Sequence, residues 1–103
     1  MRKFFGSFCL VIFLTVSCAE IIPEHSVILR NDAYYAIAVL TIGEERMEAR
    51  PRSRDERRIK EGEYDYRIII GDILETGVVG IYQDRTIRVY FDVIDERYTF
   101  EWR

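Results

Sequence analysis

Nucleophiles and bases are scarce in this 103-residue chain, which holds one histidine, His25, two cysteines, Cys9 and Cys18, and four serines. His25 and Ser26 are neighbours, and on an extended chain adjacent side chains point to opposite faces, so they form no nucleophile–base pair as they stand. Apart from Ser7 and Ser17 near the N-terminus, the remaining serine is Ser53, in a charged turn. A serine or cysteine hydrolase needs a nucleophile beside a base that is itself oriented, and these residues do not supply one. Zinc is disfavoured for lack of ligands, because beyond the apolar N-terminal run one histidine and one cysteine, Cys18, remain. Asp92, Asp95 and Glu96 offer oxygen atoms, but without the Asp-rich, Gly-containing loop that holds calcium, so they read as turn residues. The sequence therefore predicts a protein that is not an enzyme, with no metal and no cofactor.

The most unusual local composition lies between Arg50 and Lys60. Arg50, Arg52, Arg54, Arg57, Arg58 and Lys60 stand there against Asp55 and Glu56, a balance of about +4 inside an acidic protein. One reading is an anion-binding patch facing lipid headgroups or an acidic envelope polymer, where each basic side chain near an anionic surface is worth ~1 kcal/mol. The other is a solvated hairpin whose charges pair among themselves and contribute little. Tyr34, Tyr35, Tyr82 and Tyr90 are candidates for an exposed aromatic face.

The first residues differ from all the rest. Met1-Arg2-Lys3 gives a positive start, and Phe4 to Val16 is uncharged and apolar apart from Gly6, Ser7 and Thr15. As a helix this run would reach about 20 Å, short of the ~30 Å hydrocarbon core of a bilayer. A positive start, a short apolar run and small residues after it are the parts of a secretory signal. Cys9 lies inside the run, so its removal leaves Cys18 without an intramolecular partner. An unpaired thiol in an oxidising compartment is a liability unless it is used.

Leu14-Thr15-Val16-Ser17-Cys18 resembles the lipobox of bacterial lipoproteins, with Thr15 where that family usually carries Leu. The resemblance implies that signal peptidase II cuts before Cys18 and that the sulfur carries a diacylglycerol anchoring the protein to a membrane of the cell envelope. The alternative is ordinary cleavage at the small-x-small site Ser17-Cys18-Ala19, releasing a soluble secreted or periplasmic binding or inhibitor module that begins at Glu20. Removing Arg2 and Lys3 leaves thirteen basic side chains against eighteen acidic ones, near −5. An acidic exported domain is a poor candidate for nucleic acid.

Beyond the leader the chain has the length of one domain, about 86 residues. Its pattern has period two. Tyr64, Tyr66, Ile68 and Ile70 alternate with Glu63, Asp65, Arg67 and Ile69; Ile87, Val89 and Phe91 alternate with Thr86, Arg88 and Tyr90; Tyr98, Phe100 and Trp102 alternate with Arg97, Thr99 and Glu101. Turn signals fall between such runs, at Asn31-Asp32, Gly43-Glu44, Pro51 to Asp55, Glu61-Gly62, Gly71-Asp72, Gln83-Asp84 and Asp95-Glu96. The spacing predicts strands at 27–30, 34–42, 45–49, 56–60, 63–70, 77–82 and 85–91, with 96–102 as an eighth. The run 34–42 is apolar on both faces and is expected to be central. The division is a signal peptide 1–18, a tether 19–26 and a domain 27–103. The fold class is all-β: a single small antiparallel β-sandwich of seven or eight strands, preceded by a signal-peptide helix. The layout resembles immunoglobulin-like or transthyretin-like envelope modules, including PEGA-type domains, and Glu61-Gly62-Glu63-Tyr64-Asp65-Tyr66 is similar to their entry into a core strand. The expected function is a non-enzymatic envelope lipoprotein that binds a protein or polymer partner or plays a structural role.

Overall fold

The computed structural model describes residues 21–103; the leader 1–18, Cys18 and the start of the tether lie outside the described residues. Eight strands follow one another: β1 (Glu24–Asn31), β2 (Ala38–Ile42), β3 (Glu45–Ala49), β4 (Ser53–Lys60), β5 (Gly62–Ile70), β6 (Ile73–Ile81), β7 (Arg85–Asp92) and β8 (Arg97–Trp102). They form two four-stranded sheets, ordered β4-β1-β7-β8 and β3-β2-β5-β6, and together these make a small β-sandwich. The expected strict antiparallelism fails at one pairing: β1 runs parallel to β7, with Leu29 opposite Ile87. Sequence adjacency cannot reveal such a pair, because parallel neighbours need a long crossover, here the whole stretch from β2 to β6.

Alternate side chains from both sheets fill the core. Val27 and Leu29, Leu40 and Ile42, Met47, Ile68 and Ile70, Ile81, Ile87 and Val89 are almost completely buried. β2 lies between β3 and β5, as its two apolar faces require. It begins at Ala38 rather than Tyr34 because Asn31 claims the preceding backbone. The buried Asn31 Oδ1 accepts from Ala33 N at 3.0 Å, and its Nδ2 donates to Ala36 O at 2.8 Å and to Ala49 O at 3.0 Å. Those bonds bend residues 32–37 into a loop, since a side-chain amide competes with the sheet ladder for backbone groups.

β1 also starts earlier than Val27: Glu24, His25 and Ser26, read as tether, face Lys60, Ile59 and Arg58 of β4. β6 starts at Ile73 and passes through Gly77, where a Cβ would fall 2.9 Å from Tyr66 Cε1. Glycine is therefore required for the Tyr66 ring to lie across that strand. Tyr66 in turn meets Phe100 and Trp102 edge-on, at centroid distances of 6.2 and 5.4 Å, tying the two sheets together.

The register gives the sandwich two distinct ends. Pro23 accepts a bond from Glu61 N where the chain enters β1. At the far end of β1, Asn31 lies opposite Ser53 and Val89. The loop 32–37, the turn 50–52 and the turn 93–96 therefore gather there, about 25 Å away for eight residues at ~3.3 Å each.

Candidate functional site

The far end of the sheet that contains β1 carries a row of like charges. Arg54 on β4 is the cross-strand partner of Arg30 on β1, and Arg30 is the partner of Arg88 on β7. All three occupy the outward parity of their strands, opposite to the buried Leu29, Ile87 and Val89. Like charges in direct register repel. Asp32 offsets part of that repulsion: its Oδ1 accepts from Arg30 Nε at 3.0 Å and its Oδ2 from Arg88 Nε at 2.6 Å. Burial pushes the Asp32 carboxyl up, but the hydrogen bonds and charges of Arg88 and Arg30 outweigh it and hold the group below the usual carboxylate range.

Arg52 completes the cluster from the turn. Its NH1 donates to Asp32 O at 3.1 Å, and its backbone N donates to Ala33 O. Arg52 has φ +62°, a left-handed conformation that disfavours side chains larger than glycine. Pro51 before it and the Ser53 N to Arg50 O bond across it fit a type II turn. Two guanidinium groups lie over aromatic rings: Arg52 over Tyr34, 4.7 Å from the centroid, and Arg88 over Tyr90, 4.3 Å from the centroid. Such stacking fixes an arginine side chain while leaving its planar edge for hydrogen bonding. A cleft of about 410 Å³ runs between Arg30, Asp32, Tyr34, Arg52, Arg88 and Tyr90. A second, of about 370 Å³, shares Arg30, Asp32 and Arg52 and extends to Arg54.

The six basic residues between Arg50 and Lys60 are thus not brought together. Arg52 and Arg54 join the cluster just described, and Arg50 lies in the turn, its carbonyl accepting from Ser53 Oγ. Arg57 has the opposite parity to Arg54 and pairs with Asp55 at 2.8 Å. Arg58 and Lys60 are at the other end of β4, where Arg58 NH2 donates to Glu24 O at 3.0 Å. Alternation along β4 and the length of the strand divide the patch. Arg30 and Arg88 were not singled out in the sequence. The period-two pattern placed Arg88 on a wet face, but only cross-strand register shows that it neighbours Arg30 and Arg54.

Among the tyrosines, Tyr34, Tyr35 and Tyr90 share this end, with Tyr35 93% exposed, whereas Tyr82 lies at the opposite end. His25 Nε2 sits 2.9 Å from Glu61 Oε1, while Ser26 Oγ donates to Glu56 Oε2 on the other face of β1. Asp92 Oδ1 accepts from Ile94 N and Asp95 N, which is turn chemistry. Among the described residues, no group of three or more His, Cys, Asp or Glu is placed to hold a metal ion.

Comparison with family models, curated proteins and solved structures returns no match. The arginine cluster presents four guanidinium groups at one end of the sheet, two of them on the Asp32 carboxylate and one on the Asp32 carbonyl, with aromatic rings beneath two of the four, a chemistry suited to oxyanions.

Proposed function

We propose that this chain is an exported, non-enzymatic lipoprotein of the bacterial cell envelope, held to a membrane through Cys18 and binding a partner with its β-sandwich. The leader supports the export: Arg2-Lys3, an uncharged run and then Ser17-Cys18, in a sequence that gives Cys18 no other cysteine beyond the leader to pair with. The observation that carries the binding role is the placement of the arginine cluster. It lies at the opposite end of β1 from Pro23, where the chain arrives from the leader. An anchor at Cys18 would leave that end turned away from the bilayer, open to other envelope components. Membrane contact would fall instead to the end carrying Arg58 and Lys60.

Within the sandwich class, the strand order favours the transthyretin-like arrangement over the immunoglobulin-like one. Lettered A to H, the sheets read D-A-G-H and C-B-E-F, and the first strand is interior, between the fourth and the seventh. The immunoglobulin order A-B-E-D over C-F-G would place it at an edge. Fold type of this kind carries no function by itself.

The test is membrane fractionation of the full chain and its Cys18→Ala variant. The proposal expects the native protein in the membrane fraction and the variant in the soluble envelope fraction. Unchanged membrane association of the variant would refute the anchor, and a soluble native protein would favour cleavage after Ala19.

A further inference from the structure

We infer that the cluster of Arg30, Arg52, Arg54 and Arg88 is the docking site for an acidic segment of a protein partner. The inference deepens the binding role proposed above and rests on it for the direction the site faces. Four observations converge on it.

The first is charge that the fold itself does not use. Arg30 and Arg88 each give Asp32 only their Nε. Their terminal NH1 and NH2 groups have no hydrogen-bond acceptor among the described residues, and Arg54 has no carboxylate within ion-pair distance there. These are the paired nitrogens that bind a carboxylate bidentately. Glu101, the cross-strand partner of Arg88, acts on it as a nearby negative charge but makes its ion pair with Arg103, whose NH2 lies 2.6 Å from its Oε2.

The second is conformational cost. The chain keeps three arginines in register across β4, β1 and β7, and sets a fourth at left-handed φ in the adjoining turn. Repulsion and strain of this kind persist where another requirement maintains them. The third is preparation: Tyr34 and Tyr90 hold two of the guanidinium groups in place before any ligand arrives.

The fourth points to a protein rather than a bilayer. Next to the cluster the loop tips expose apolar and aromatic side chains, Tyr34 at 66%, Tyr35 at 93%, Val93 at 75% and Ile94 at 87%. Arginine together with tyrosine and aliphatic contact is the composition of protein interfaces. The end facing away from a Cys18 anchor is also the wrong end for headgroups of the same membrane.

The experiment uses the full-chain protein purified from envelopes, titrated with octaglutamate, with octaglutamine, and with phosphatidylglycerol vesicles. Octaglutamate is expected to bind, octaglutamine not, and added salt should weaken the complex, as for exposed charge pairs. Arg54→Gln combined with Arg88→Gln should weaken octaglutamate binding about tenfold or more. Arg54→Gln alone, at a residue with no ion-pair partner among the described residues, should weaken it without disturbing the fold. Arg58→Gln with Lys60→Gln should leave it unchanged. Failure of octaglutamate to bind, equal binding by the Arg54/Arg88 variant, or loss of vesicle rather than peptide binding in that variant would overturn the inference. The peptide readouts do not depend on whether Cys18 is acylated, and the vesicle readout is taken on the Cys18→Ala protein, so this site and the anchor can fail separately.

Discussion

Arg88 Nε donates to Asp32 Oδ2 at 2.6 Å, joining the outer face of β7 to the first residue beyond β1. The two strands are parallel neighbours, and Asp32 N also donates to Val89 O. Asp32 is thus held by backbone and side chain together, and it holds Arg30 and Arg88 in turn. Asp32→Asn should cost about 1–3 kcal/mol of stability, the range for a charge-assisted hydrogen bond in a part-buried setting. The urea midpoint measures it, and Arg88→Gln should show a smaller loss because its outer nitrogens already face solvent.

The same pair sets a pH dependence. Asp32 has its folded-state pKa lowered: burial raises it, but Arg88 and Arg30 more than compensate. Asp55 is lowered likewise: burial opposes the shift, while the N–H groups of Glu48 and Glu56 and the charge of Arg57 drive it. A carboxylate with a depressed folded pKa contributes stability that is complete above its unfolded pKa. That stability is lost as pH falls through the folded value. The native protein should therefore lose stability on acidification below about pH 4, the ordinary aspartate range. Denaturant midpoints across that range should fall less steeply in Asp32→Asn and Asp55→Asn, each variant being weaker than native at neutral pH.

Asn31 is completely buried and joins three backbone groups, two in its own loop and Ala49 O on β3 of the opposite sheet. Asn31→Ala would leave those groups unpaired in the interior. A loss of about 2–4 kcal/mol is expected, from several unsatisfied buried polar groups. Amide exchange at Ala33 should speed up more than at Leu40 in the middle of β2, because the loop loses its tie while the strand keeps its ladder.

The open edge of the sandwich depends on Gly77. A side chain there meets Tyr66, whose ring cannot retreat without leaving Phe100 and Trp102. Gly77→Val should destabilise by about 1–3 kcal/mol, as overpacking does. A thermal melt reads it. The double variant Gly77→Ala with Tyr66→Phe should lose less than the sum of its singles, since the hydroxyl is the nearest obstructing atom.

Much of the fold was legible in the residue pattern. Alternation along Tyr64–Ile70, Thr86–Phe91 and Arg97–Trp102 named strands now seen as β5, β7 and β8, because burial on one face writes period two directly into a sequence. Tyr34 to Ile37 was lost to the strand reading because Asn31 captures its backbone, an effect of one buried amide that local pattern does not carry. The start of β6 was lost because Gly77 interrupts the apolar alternation for the sake of Tyr66. The arginine cluster was half visible. Arg52 and Arg54 stood out as a charge run, but Arg30 and Arg88 are far from them in sequence and meet them only through the β4-β1-β7 register. Charge density along the chain therefore gathered residues, such as Arg57 and Lys60, that the strand sends elsewhere.

An anchor at Cys18 would hold the sandwich by the end opposite its arginine cluster, and everything proposed about orientation depends on it. Mass spectrometry of the N-terminal fragment of the protein recovered from its own envelope reads that anchor without an intermediate step. The expected fragment begins at Cys18 and carries a thioether-linked diacylglycerol. A mature chain that begins at Glu20, or an unmodified Cys18, would contradict it.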